Sequence, residues 1–231
     1  MKHYLIILIL WAVAVVPQHL SAQDEPYTRT IPVKEFSSIY IEGGYRVYLY
    51  QTSDPYLKIK APSDSHIDAL DVESDSRKLR LSVKRQQLTL SRMELHIGFS
   101  NLEELHISGG VKLTTDGFVA VEDLRIRIDG AVNGNIKLKA RSVEVISNGG
   151  SVFDLSGVTD RLSVEVAGAG HVNARELTAK NVTFSVEGVG FGSVYATDDL
   201  DVRIEGLGKV TYSGNPKVKR LVEGLGSVVQ Y

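Results

Sequence analysis

Leu200-Asp-Val-Arg-Ile-Glu-Gly-Leu-Gly-Lys-Val210 alternates aliphatic and polar residues, crosses a Gly-x-Gly, and resumes at a valine. Close variants precede and follow it. Leu124-Arg-Ile-Arg-Ile128 and Leu162-Ser-Val-Glu-Val166 repeat the strand, while Gly168-Ala-Gly-His-Val172 and Gly224-Leu-Gly-Ser-Val228 repeat the crossing. The anchor glycines are Gly109, Gly130, Gly149, Gly168, Gly188, Gly206 and Gly224, spaced 21, 19, 19, 20, 18 and 18 residues apart. Period-two alternation marks strands, and a fixed period near twenty residues marks stacked coils. The sequence therefore predicts an all-β chain whose second half is a parallel β-helix, or solenoid, expected to be right-handed. Coils near 18 residues also fit a left-handed hexapeptide helix, but the period wanders and lacks six-residue phasing. At about 4.8 Å per coil, seven coils span roughly 30–35 Å.

The glycines continue the inward alternation, so they are expected to form corners where the chain bends or meets the next wall closely. A phosphate-cradling loop fits poorly, because strands follow these glycines and no Gly-Lys-Ser/Thr is present. Upstream, Ile31 to Ile97 carries longer strands without the period. Ile39-Tyr-Ile41, Glu42-Gly-Gly-Tyr45 and Arg46-Val-Tyr-Leu-Tyr50 read as two strands and a turn, and His66 to Leu70 as a single helical turn. The expected division is 1–22 signal peptide, 23–30 disordered, 31–101 an irregular amino-terminal β region and 102–231 the glycine-repeat solenoid. The leader rests on Lys2, the apolar run Tyr4 to Val16 and small residues ending at Ala22. That run is too short to span a bilayer, so no transmembrane span is expected in the mature chain.

The chain of 231 residues has 26 basic and 28 acidic side chains and no cysteine. Near-neutral charge argues against a nucleic-acid partner. Without cysteine there is no disulfide, thiolate metal site or amino-terminal lipid anchor.

The order of these features resembles the auto-transporter adhesin family called the head GIN domain, common in secreted proteins of Bacteroidetes-like bacteria. The resemblance covers about residues 30–231. It is carried by Phe36-Ser-Ser-Ile-Tyr-Ile-Glu-Gly43 with Arg46-Val-Tyr-Leu49, Leu102-Glu-Glu-Leu-His-Ile-Ser-Gly-Gly110, the Gly-x-Gly coils, and Val210-Thr-Tyr-Ser-Gly-Asn-Pro216. It implies a β-helix-like fold and a role in adhesion or contact with a surface polymer. The family offers no catalytic residues to carry over.

Little in the sequence points to catalysis, a cofactor or a metal. His66, His96, His106 and His171 lack zinc-binding spacing and are expected on exposed faces. Glu144 and Glu165 on neighbouring coils would have to share a cleft to act as a glycosidase pair. Arg125, Arg127 and Asp129 mimic a lyase site, but a solvated strand face of mixed charge explains them. The expectation is an exported, non-enzymatic module offering flat walls to a polysaccharide or protein. The competing classes are a β-helix carbohydrate-active enzyme and a self-associating periplasmic scaffold.

Two patches are singled out. Tyr40, Arg46, Tyr48 and Tyr50 alternate with aliphatics and form a candidate ligand face, since aromatics stack on sugars or bind protein; cross-strand packing is the plainer explanation. Glu187, Glu205 and Glu223 each precede an anchor glycine, so stacking in register lines up three carboxylates about 5 Å apart. Splaying into water relieves them most simply, with Arg203, Lys209 or a cation such as calcium as alternatives. Beside them run Ala169, Val189, Leu207 and Leu225. Strict alternation turns these outward, but the preferred expectation is that the corners tuck them in. The sequence stops at Gln230-Tyr231 directly after a strand, and an open solenoid end invites pairing, including a homo-oligomer through the last coil.

Overall fold

The computed structural model describes residues 26–84 and 92–231; the expected leader lies outside them. Among the described residues, eleven strands form one continuous sheet: β1 Tyr27–Pro32, β2 Ser38–Gln51, β3 Tyr56–Ala61, β4 Leu70–Ser74, β5 Lys78–Val83, β6 Glu94–Phe99, β7 Glu104–Ile128, β8 Ala131–Ser147, β9 Gly150–Val166, β10 Ala169–Ser213 and β11 Lys217–Gln230. A single helical turn, α1, spans Asp64–Asp68, slightly ahead of the expected position. From β2 through β7, β8, β9 and β10 to β11 all pairing is parallel, so the chain winds into a β-solenoid of about six turns.

The register follows the glycines. Gly43 pairs with Gly109, and Gly206 with Gly224. Along the column Gly109, Gly130, Gly149, Gly168, Gly188, Gly206 and Gly224, a β-carbon added to any member would press on the carbonyl oxygen of the glycine one coil earlier. Gly43, Gly109, Gly188, Gly206 and Gly224 also have positive φ. Both facts exclude side chains: one by close backbone approach, the other by backbone conformation.

Gly43 extends this column below the seven predicted members. The stretch 39–50, expected as two strands with a turn, is therefore one strand bent at Gly43 and lying in register under β7. The physical reason is that parallel pairing on both sides of the bend holds the chain open, where a hairpin would fold it back. Below β2, the next layer is shared by β5 under residues 38–41 and β6 under residues 46–51. Antiparallel β1, β3 and β4, together with α1, close that end. Tyr27–Arg29, expected in a disordered tail, belong to β1. They pair with β3, and the Arg29 guanidinium donates to Asp64 and Asp68.

Inward positions form one apolar core from Phe36 to Val228. Bulk is balanced across it: the ring of Phe153 lies against Gly134 and that of Phe184 against Gly192, leaving no room for a side chain on either glycine. The buried hydroxyl of Ser147 donates to Ser151 Oγ across a corner at 2.8 Å, which satisfies an otherwise costly polar group.

The glycine column gives a controlled test. Gly149→Ala drives a β-carbon into the Gly130 carbonyl, whereas Gly110→Ala meets no atom within 4 Å. In urea denaturation, Gly149→Ala is expected to lower the unfolding free energy by about 2 kcal/mol or more, and Gly110→Ala to stay within about 0.5 kcal/mol of wild type.

Candidate binding surfaces

The glycine column divides each coil into a wall before the corner and a wall after it. On the first wall one column of charges stacks in alternation. Glu104 flanks Arg125, whose Nε donates to Glu144 Oε2 at 2.5 Å. The same wall holds a shallow trough of about 620 Å³ lined by Glu103, Glu104, Glu122, Asp123 and Glu144 with Arg125. Glu144 lies opposite Ser163, and Glu165 lies opposite Ile146. The two carboxylates considered as a glycosidase pair are thus displaced diagonally along the wall. Of the lyase-like trio, Arg125 is engaged by Glu144, and Asp129 is held by Asn148 Nδ2 at 2.8 Å and His106 Nε2 at 2.6 Å. Those hydrogen bonds, Asn148 first, keep the Asp129 carboxyl below its usual range.

The four residues predicted as a ligand face do not share a wall. Tyr40 is on the first, where its hydroxyl donates to Glu104 Oε2 at 2.7 Å and its ring meets His106 edge-on. Beyond the Gly43–Gly44 corner, Arg46, Tyr48 and Tyr50 lie on the second wall. Arg46 Nη1 is 3.6 Å from Glu94, and the Tyr48 ring stacks on His96 at a centroid distance of 4.7 Å. The Tyr50 hydroxyl and His96 Nδ1 are 3.0 Å apart. His96 is thus half-buried and layered with tyrosines, contrary to its expected exposure, because β6 lies between β2 and β3 in the sheet and sets Tyr48 and Lys58 on either side of it. Tyr40, Tyr48 and Tyr50 are half-buried, and of the four only Arg46 is openly exposed.

At the other end, Glu187, Glu205 and Glu223 stand in one column. Glu205 lies opposite Glu223, and Gly206 rests over Gly188 one position on. Arg203 Nε meets Glu205 at 2.6 Å, so the middle carboxylate has a cation beside it.

The residues between the glycines point out. Val189 is 45 %, Leu207 49 % and Leu225 78 % exposed, and Phe191, in the next outward position after Val189, is 46 % exposed. The expectation that corners would tuck them in fails for a packing reason. A β-carbon on Gly190 would strike Val186, and one on Gly208 the Gly190 carbonyl, so the interior of these corners is already full. Up the stack, the outward and inward residues of successive corners are Gly44 and Tyr45, Gly110 and Val111, Ala131 and Val132, Gly150 and Ser151, Ala169 and Gly170. Val189 and Gly190, Leu207 and Gly208, and Leu225 and Gly226 follow. Apolar bulk passes from inside the corner to outside it. Phe191 was not singled out from the sequence, although Gly-Val-Gly-Phe-Gly at 188–192 places it in an outward slot of the alternation.

His96 makes a pH prediction. Burial, then Lys60 and Lys58, lower its pKa, and Glu94 opposes them. Because the folded value lies below the unfolded one, the folded state binds fewer protons between the two. This contribution to stability is complete above about pH 6.5 and is lost as pH falls toward the folded value. The melting temperature is expected to drop from about pH 7.5 to about pH 5, and by less in His96→Phe, which keeps the ring stack but not the titration. An unchanged pH slope would remove His96 from this account.

Among curated proteins none matches the chain. Several solved structures share its fold, three of them as follows. A putative adhesin from Bacteroides fragilis is 24% identical with a TM-score of 0.85, covering 90% of this chain and 98% of that one. A putative lipid binding protein from Parabacteroides distasonis is 23% identical with a TM-score of 0.69, over 90% and 98% of the two chains. A putative adhesin from Parabacteroides merdae is 20% identical with a TM-score of 0.69, over 90% and 97%. Residues 35–216 match the family described as putative auto-transporter adhesin, head GIN domain, and by that match the chain belongs to it.

Proposed function

We propose that the protein is an exported, non-enzymatic binding module that adheres through the second wall of its last coils. The observation that carries this reading is the patch of exposed apolar side chains Val189, Phe191, Leu207 and Leu225, with Leu207 and Leu225 opposite one another on adjacent coils. Single exposed aliphatics are ordinary, but contiguous patches on a soluble surface mark contact sites. The patch is not a by-product of core packing, because in these coils glycine takes the inward place and the bulk stands outside. The adjoining Glu187, Glu205 and Glu223 supply a polar rim that fixes orientation and keeps the free surface hydrated. Membership in an adhesin family supports the same reading, as does the expected leader for export to the periplasm, cell surface or medium.

The partner is a protein surface or the apolar face of a polysaccharide, held by contact along a wall. The carbohydrate-active alternative draws less support, since Arg125 already engages Glu144 in the trough where paired carboxylates would be needed. Arg46, Tyr48 and Tyr50 form a second, smaller contact candidate near the opposite end, with Tyr40 around the corner.

An array of purified glycans and matrix proteins, probed with the chain lacking residues 1–22, tests the proposal. Wild type is expected to bind at least one class, and a Val189→Ser, Phe191→Ser, Leu207→Ser triple variant to lose at least tenfold in signal. The variant should retain the wild-type circular-dichroism spectrum. Equal binding by the triple variant, or no binding by wild type, would refute the wall as the contact surface.

A further inference from the structure

The inward column running through Ile126, Val145, Val164, Phe184 and Val202 is buried throughout and ends on an arginine. β7 through β10 place the first four opposite one another, and β11 sets Arg220 over Val202. The two neighbouring inward residues of β11 are Val218 over Leu200 and Val222 over Ile204. They are 39 % and 36 % exposed, because among the described residues no strand lies beyond β11. The last coil therefore presents an unpaired strand edge of 14 residues whose inward face reads apolar, cation, apolar. Arg220 itself is exposed and has no salt bridge among the described residues.

We propose that this edge accepts an extended segment of another protein, one carrying a carboxylate two residues from an aliphatic on either side. Such a strand would extend the sheet by main-chain hydrogen bonds, the usual mode of edge recognition. Its aliphatics would cover Val218 and Val222, and its carboxylate would meet the Arg220 guanidinium in a charge-assisted, bidentate pair. Lys217, on the outward face of the same strand, adds attraction for an acidic segment, whereas Lys219 is already engaged by Asp201 at 3.0 Å.

The same residue selects against a second copy. Stacking two carboxy-terminal coils with continuous cores must match inward with inward positions. On β11 these are Val218, Arg220, Val222, Gly226 and Val228, with no carboxylate among them. Two guanidiniums would be buried without a partner, which is strongly unfavourable. An inward-pointing charge on an edge strand is a known way to stop edge-to-edge association.

The test uses the chain lacking residues 1–22 and two labelled synthetic peptides of alternating Thr and Val, identical except for a central Glu or Lys. Fluorescence anisotropy with wild type should show the Glu peptide binding at least tenfold more tightly, and Arg220→Glu should reverse the order. Light scattering should find wild type monomeric and Arg220→Val self-associated. The docking edge is overturned if neither peptide binds at millimolar concentration, if both bind equally, or if Arg220→Glu leaves the ratio unchanged. A wild-type dimer abolished by Arg220→Glu would overturn the choice of occupant. The triple serine variant on the wall should bind the peptides as wild type does, so failure of the edge and failure of the wall are separate results.

Discussion

Each coil of this protein meets the next at a corner where two backbones approach too closely for any side chain. At that corner the carbonyl oxygen of one glycine occupies the space a β-carbon of the next would need, from Gly43 to Gly224. The constraint acts on register as well as on identity. Slipping a coil by one residue would place a side chain against a carbonyl and turn the aliphatic face of the strand to solvent. Parallel ladders alone specify register weakly, so the glycine column and the inward alternation together define one alignment.

From that alignment the rest follows by counting along the strands. Residues ahead of the corner form charged columns, where Glu104, Arg125 and Glu144 stack with alternating sign. Residues after it form columns whose character changes along the stack. Near the amino-terminal end the corner is filled from inside by Tyr45, Val111 and Val132. In the last coils glycine occupies that inward place, and Val189, Leu207 and Leu225 stand outside. The core does not require this outward bulk, which separates the patch from the ordinary scatter of exposed aliphatics. The stack also ends unevenly among the described residues: antiparallel strands and α1 close one end, whereas β11 is the last strand at the other, with Arg220 in its interior column.

Much of this was legible in the sequence, because alternation and glycine spacing are local signals. The strands around Leu124, Leu162 and Leu200, the anchor glycines and the glutamate column all fall where the periodicity puts them. What stayed hidden depends on long-range pairing. Gly43 could not be recognised as a member of the column, since the coil spacing breaks between it and Gly109. His96 has the alternation of a surface residue, and only the long-range pairing of β6 with β2 layers it against Tyr48. Tyr40 and Tyr48 alternate in one strand, yet the bend between them sends them to different walls. The direction of Val189, Leu207 and Leu225 turned on whether the corner interior was full, which depends on the neighbouring coil and not on the residue itself.

The in-register corner is most directly measured by disulfide closure, and the absence of native cysteine makes the background clean. Adjacent coils about 4.8 Å apart fall within the Cα range a disulfide spans, whereas a diagonal pair two residues out of register lies beyond about 7 Å. Under mild oxidation, Leu207→Cys with Leu225→Cys should close within one chain. Leu207→Cys with Ser227→Cys, which share the outward face but not the register, should remain reduced. Closure of the second pair in preference to the first would contradict the glycine-set alignment and the wall built on it.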